Sequence, residues 1–453
     1  VGWPLLKARL ADYPPERVAQ ITGLPEQTII ALAQRYATIR PGLIKIADGI
    51  NRHANGGQTV RAICALPAIT GQYGIAGGGL AYSTSGTLRW DGEAVNHGAD
   101  CPPPARSVNM NRLGAALLGE VSDPPIHALY VFGSNPAAIA PNAGAVVRGL
   151  QRDDLFTVVH ELFMTDTADY ADIVLPATSQ LEHSDLHKAY GHTYLHYNAA
   201  AIPPLGESKS NWDVMRLLAQ ALGFDDPWLQ QPADEVIEEV LTATAARQPS
   251  LQGITLARLK EGHPLRLALA SAPPFADRHF PTASGKVELF SRTLAEQGLD
   301  PLPGYVDAGD AAAPPAGYAA ADALQLLTGA AHHFVSSSLA NLDSLRAREN
   351  SPFLEIHPLD AAARQIAAGA LVIVENRRGW CTLRAVVTDD VRPGVVVSPK
   401  GRWSRHADGR NINWTTSDAL GDMAGQSTFH SNRVWVRPAR DHSGAEMLNE
   451  SYT

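Results

Sequence analysis

The sequence predicts an α/β protein in which parallel-sheet domains are followed by a C-terminal β-barrel. Three observations carry this. Near-continuous apolar segments, "ALYVF" (128–132), "LFTVV" (155–159) and "ADIVLPAT" (171–178), alternate with helical patterns, as strands covered on both faces do. Residues 299–323 are rich in Pro, Gly and Ala and read as a linker. Beyond them, short strands bounded by turn signals replace the alternation, which is the pattern of a compact barrel.

Taken in order, residues 4–40 read as helices. "YPPERVAQITG" has a Pro-led start, a periodic apolar face and a Gly stop, and "LPEQTIIALAQRYA" repeats the pattern. "GLIKIADGI" (42–50) reads as a strand, "INRHANGG" as a loop and "QTVRAICALPAITG" as a helix. "GQYGIAGGG" (71–79) is too glycine-rich for regular structure. "IHALYVFGSNPAAIAPNAGAVVRGLQ" (126–151) reads as strand, tight turn and helix, and "NWDVMRLLAQALGF" (211–224) as an amphipathic helix. In the last part "LQLLTG", "FLEIH", "ALVIVENRRGWCTLRAVVTD" and "GVVVSPKG" read as strands, with "DAAARQIA" as one helix among them.

The 453 residues suffice for two or three domains with their own cores. A formal net charge of −9 argues against a nucleic-acid partner. There is no apolar run of the roughly 18 residues that a membrane span needs. The three cysteines, Cys64, Cys101 and Cys381, lie far apart with no CxxC pair, so this chain is not expected to hold an iron–sulfur cluster or cysteine-rich zinc site by itself. The chain opens on Val-Gly-Trp-Pro, without Met or signal peptide, and reads as cut from something longer. The compartment stays open, with the cytoplasm favoured.

"GSNP", from Gly133 through Ser134 and Asn135 to Pro136, follows a buried strand and opens a helix. Asn135 can cap and Pro136 suits the first turn. The exposed N–H groups then offer a phosphate site, or the motif is a plain strand–helix turn. His160 ends "LFTVV" and points to the same rim as Gly133. The polar run after it, "TDTADYAD", either serves a ligand there or caps a short helix through Thr165 or Asp166. His183 and His187, and again His192 and His196, are spaced i, i+4, but "HSDLH" lacks the glutamate of a zinc-protease motif. On a strand, His332 and His333 diverge, so at most one faces a given site. No serine-nucleophile elbow or Walker A motif occurs.

Together these pieces resemble the DMSO reductase family of molybdenum enzymes. "NGGQTVRAICALPAITGQYGIAGGG" is similar to that family's helix and glycine loop, "YVFGSNP" to its nucleotide loop, and "ELFMTDTADYADIVLPATSQLE" to its most recognisable stretch. "FPTASGKVELFS", "LLTGAAHHFVSSSLANL", "RPGVVVSPKGRW" and "NINWTTSDALGDMAGQSTFHSNRVWV" resemble later segments in the same order. The resemblance implies Rossmann-like domains and a six-stranded double-psi-type barrel. It implies residues 1–160 as a dinucleotide-binding domain, 161–300 as a second α/β domain, 301–323 as linker and 324–453 as the barrel that binds the dinucleotide.

The implied cofactor is molybdopterin guanine dinucleotide with molybdenum. The nucleotide contacts implied are Gly133, Ser134, Asn135, Pro136, His160 and Thr165. The barrel contacts are Thr328, Gly329, His333, Ser336 and Ser337, with Asn413 and Phe429 in the closing loop. Arg52, His53 and Asn55 either approach the pterin or substrate funnel or form a solvated loop. The reaction implied is oxygen-atom transfer or two-electron oxidation or reduction of a small molecule, with an electron-transfer partner. The family's iron–sulfur cluster and metal-ligating residue belong to an N-terminal part that precedes this sequence, so the resemblance covers roughly the C-terminal two-thirds of such an enzyme. The chain is therefore expected to be an inactive piece by itself. "HSDLHKAYGHTY" departs from the family's usual Gly-Thr and Arg and leaves the substrate open.

Overall fold

The computed structural model describes residues 1–101, 104, 106–121, 123–307, 309–310 and 313–439. Three helices, Trp3–Leu10, Pro15–Thr22 and Glu26–Thr38, open the chain. Proline occupies the first turn of the first two, where its missing N–H costs nothing. Gly23, at φ 67°, ends the second in the left-handed conformation that glycine tolerates. The strand expected over 42–50 is shorter. Only Leu43–Lys45 is extended, paired in parallel with Gly79–Ala81, and Asp48–Asn51 turns helically, where Asp, Gly and Asn favour a turn over a strand.

The central sheet is parallel and three-stranded: Ala128–Phe132, Phe156–Glu161 and Ile173–Pro176. Its register sets Phe132 beside His160, so the loops after both strands leave from one rim. Residue 160, the expected domain boundary, lies inside the middle strand. Leu117, Ala137, Val146 and Leu150 pack one side of this unit. Continuous apolarity suggested cover on both faces, but Phe132, Phe156 and Ile173 stay about half exposed, and Phe132 lines an open cleft.

A second, antiparallel sheet joins Asp185–Lys188, Tyr194–Asn198 and Leu265–Arg266. It packs with Leu241 of the helix Ala233–Arg247 into a separate core. One histidine of each i, i+4 pair, His187 and His196, lies on a strand, and the two sit opposite each other across the hairpin, while His183 and His192 precede the strands in bends.

Residues 324–438 carry a closed barrel of six strands in the order Phe353–Ile356, Gly379–Val387, Leu371–Asn376, Asn432–Pro438, Leu324–Leu327 and Val395–Val397. Two of its pairings are parallel and the rest antiparallel. Leu326, Leu354, Ile356, Val372, Val374 and Val396 fill its interior without solvent exposure. The barrel domain was expected to run to 453; residues 440–453 lie outside the described residues. The Pro/Gly-rich stretch before the barrel is not free of the body: Leu302 packs with Leu6, Ala65 and Leu289, and the Tyr318 hydroxyl donates to Glu375 at 2.6 Å. No helix among the described residues is long and apolar enough to cross a membrane.

Because Leu354 is fully buried in the barrel, Leu354→Ala should cost about 2–5 kcal/mol, the range for large-to-small core changes. Urea unfolding followed by far-ultraviolet circular dichroism checks it; a midpoint equal to that of the unsubstituted protein would contradict this packing.

Candidate functional site: a cleft between sheet rim and barrel

Two adjoining cavities separate the rim of the parallel sheet from the barrel. The first holds about 560 Å³ and is lined by Gly133, Ser134, Asn135, His160 and Thr165 on the sheet side. Ser336, Ser337 and Trp403 line it on the barrel side. Seven of the residues selected from sequence thus meet around one space. The second holds about 810 Å³ and is lined by Arg52, Tyr130, Pro136, Lys400 and Phe429 among others. Ser134 and Ser336 line both.

The "GSNP" turn differs from expectation in two ways. The helix it opens is a single turn, Pro136–Ile139, so its dipole is small. Asn135 does not cap it. Its Oδ1 instead accepts from the backbone N–H of Thr167 (3.1 Å) and from the Thr167 hydroxyl (2.8 Å), because the polar run lies directly across the rim. Gly133 takes φ 55°, and a Cβ there would meet no protein atom within 4 Å. The glycine therefore faces the open cavity in a backbone conformation that other residues adopt at a cost.

Two buried atoms of residues that line this wall have no hydrogen-bond partner among the described residues. Asn135 is 2% exposed and its Nδ2 is unpaired. His160 is fully buried; its Nε2 lies 3.2 Å from the carbonyl of Lys209, while its Nδ1 is unpaired. A carbonyl only accepts, so the hydrogen-bond network assigns the proton to Nε2 and leaves Nδ1 an acceptor. Buried polar atoms almost always have a partner, so an unpaired donor and acceptor on one cavity wall fit a ligand of mixed polarity. Glu161, next in the strand, also lines the cavity; burial pushes its carboxyl up against the opposing effects of the Leu162 N–H and His160. Sequence reading passed over Glu161, although its place after His160 at a strand end was the available signal.

The polar run resolves into structural and lining groups. Thr165 Oγ1 accepts from the Ala168 N–H at 3.2 Å at the entry to the short helical turn Ala168–Tyr170, but the cap position there is Thr167, which makes no side-chain capping bond; Thr165 also lines the cavity. Asp172 holds the Thr157 N–H at 2.6 Å. Asp166 is committed to the barrel, accepting from Ser404 and Arg405.

The second cavity is cationic. Lys400 Nζ stands 4.5 Å from the Phe429 ring centroid and the Arg52 guanidinium 5.9 Å from it. Arg52 also donates to Ser427 Oγ at 2.9 Å. No carboxylate lines this cavity among the described residues. Burial, then Arg52, holds the Lys400 ammonium below its usual range. His430 is depressed to about 4 by burial, with His53, Lys400 and Arg52 adding to it. Lys400 was not among the sequence candidates; a lysine in "VVVSPKGRW" gave no signal by itself.

The remaining candidates support the cleft from behind. Thr328, fully buried, donates from its hydroxyl to Phe429 O at 3.1 Å and from its N–H to His430 Nδ1 at 3.3 Å. Gly329 O accepts from the Lys400 N–H at 3.0 Å. His332 and His333 do not diverge: they sit in a bend, both backbone N–H groups donate to Glu349 at 2.8 Å, and their rings meet edge to face at 4.7 Å. Asn413 lines neither cavity; its Nδ2 donates to Ala138 O at 3.0 Å and its Oδ1 is unpaired. His53 lies 5.5 Å from the His430 ring, and Asn55 is tied to Val306 O. Among the described residues no group of three or more His, Cys, Asp or Glu side chains is placed to hold a metal ion.

Comparison with known proteins gives this geometry its context. Residues 24–221 match the molybdopterin oxidoreductase family and residues 324–433 the molydopterin dinucleotide binding domain. The chain is 40% identical over 438 residues to a probable oxidoreductase, YoaE, of Bacillus subtilis, covering 96% of this chain and 62% of that protein. It is 27% identical to the F420-dependent formate dehydrogenase subunit alpha of Methanocaldococcus jannaschii (93% and 62% covered) and 29% identical to the dimethyl sulfoxide reductase DmsA of Escherichia coli (93% and 56%). The chain thus spans only part of the length of these relatives. Acetylene hydratase from Pelobacter acetylenicus shares the fold, with a TM-score of 0.72 at 21% identity over 97% of this chain and 66% of that one. With both family matches in order along one chain, this protein belongs to the molybdopterin oxidoreductases of the DMSO reductase family.

Proposed function

We propose that the cleft binds a molybdopterin guanine dinucleotide and that the protein serves oxygen-atom transfer, or two-electron oxidation or reduction, of a small molecule. The observation that carries the binding is the unpaired pair His160 Nδ1 and Asn135 Nδ2 on one buried wall. An acceptor and a neutral donor suit the hydroxyls and base of a nucleoside better than a phosphate. The phosphates belong instead at the cationic cavity, with Arg52 and Lys400, reached past Ser134 and Ser336. This moves them away from the "GSNP" turn, where the sequence alone suggested them. Glu161 accepts from a hydroxyl, and Gly133 lets the ligand approach the backbone. Ser337 and Phe429 complete the barrel wall, while Thr328 and Gly329 fix the backbone that carries Phe429 and Lys400.

When bound, such a group supplies two-electron redox chemistry that side chains lack. The chain's own residues bind it, orient it and exclude water around it. We propose an electron-transfer partner as well, since the reaction class exchanges electrons. The named relatives include a formate dehydrogenase and a dimethyl sulfoxide reductase, so the proposal stays at the level of reaction class.

GDP, as the nucleotide half of the ligand, tests the site by calorimetry. His160→Phe keeps a ring but removes the acceptor, and should weaken binding by about 1–3 kcal/mol, the cost of leaving a buried partner unpaired. Equal affinity in a variant that melts normally would refute the assignment.

The cationic end predicts a pH dependence. His430 in the folded protein resists protonation, so folding binds fewer protons than unfolding below the ordinary imidazole range. Its contribution is whole above pH 6.5 and is lost as pH falls toward 4. His430→Asn, which keeps an acceptor for the Thr328 N–H, should flatten stability in that window when chemical denaturation is repeated at several pH values.

A further inference from the structure

The cleft has two walls from distant parts of the chain, and one carboxylate joins them. Asp166 is 4% exposed. Its Oδ2 accepts from the backbone N–H of Ser404 at 2.5 Å and its Oδ1 from Arg405 Nε at 2.8 Å. Arg405 extends its other arm to Asp169 Oδ2 at 2.6 Å. The preceding residue, Trp403, lines the nucleotide cavity, and its indole N–H donates to Ser337 O at 2.8 Å. The Arg405 guanidinium lies over that indole, 5.5 Å from its centroid. Gly401 passes so close under the same loop that a Cβ would stand 2.2 Å from Ser336 O. A continuous mechanical chain therefore runs from the rim loop through Asp166, Ser404 and Arg405 to Trp403 and on to Ser336 and Ser337. Neither Asp166 nor Arg405 lines the cavity.

We propose that Asp166 and Arg405 are positioning residues that set the width of the cleft and thereby its grip on the nucleotide. The effect on nucleotide rests on the reading given above; the effect on width does not. A guanidinium holding two carboxylates fixes direction as well as distance, which a lysine ammonium does only in part. The other ties across the junction are Asn411 and Asn413 donating to Ala138 O, the Asn142 N–H donating to Thr416 O, Gly144 against the Trp414 ring, and a small apolar cluster in which Ala138 and Ile139 meet Ala331, Phe334, Ala340 and Trp403.

The test measures width and affinity separately. Gln180→Cys and Ser338→Cys place spin labels on exposed positions that line the cavity from opposite walls, in a background with Cys64→Ser and Cys101→Ser. Pulsed dipolar spectroscopy should give one narrow distance in this reference protein. Arg405→Met should lengthen and broaden it, with Arg405→Lys in between, and GDP affinity should fall roughly tenfold in the Met variant. Should Arg405→Met fail to fold, Asp169→Asn loosens only the outer, half-exposed arm and should broaden the distance to a smaller degree. A distance distribution unchanged in the folded variants would overturn the proposal. A wider cleft in a protein that binds GDP neither before nor after substitution would leave the clamp standing and refute the nucleotide reading instead.

Discussion

The relative placement of sheet rim and barrel depends on paired polar groups at their junction. Each side has its own apolar core, and those cores do not merge. Besides the small apolar cluster around Ala138 and Trp403, what crosses between them is directional: the Asp166 carboxylate on Ser404 and Arg405, and Asn411 and Asn413 donating to the single carbonyl of Ala138. Hydrogen bonds to a buried charge are short and strict in geometry, so they hold a gap open at fixed width better than apolar contact, which favours closing it. A cleft between two domains can persist on these terms.

The walls of the cleft carry a matching division of chemistry. At one end, buried polar groups, Asn135 and His160, each leave one side-chain nitrogen without a partner among the described residues. At the other, Arg52 and Lys400 both stand against the Phe429 ring, and among the described residues no carboxylate lines the cavity. Burying these cations together is unfavourable, and the depressed Lys400 and His430 register that cost. An anionic group would relieve it. An elongated ligand with a nucleoside at one end and anionic groups toward the other matches both ends at once.

Much of this was legible in the sequence, for physical reasons that vary by residue. Buried parallel strands have little choice but near-continuous apolarity, so "ALYVF" and "LFTVV" declared the sheet and its rim, and with it Gly133 and His160. The barrel was legible because its strands are short and punctuated. Pairing partners were not. Asn135 looked like a cap because capping is the commonest local use of such a residue, yet its partner, Thr167, lies 32 residues on. Lys400 and Glu161 could be placed only once the fold brought loops from distant sequence to one cavity. His332 and His333 misled because the alternation rule for strands was applied to a bend.

The two ends of the cleft together fix the polarity of the ligand. A crystal structure of the protein loaded with its dinucleotide tests it most directly. The account predicts the nucleoside against His160 Nδ1 and Asn135 Nδ2, with the phosphates directed to Arg52 and Lys400. Phosphates seated on the backbone N–H groups of Gly133–Pro136, with the nucleoside in the cationic cavity, would contradict it.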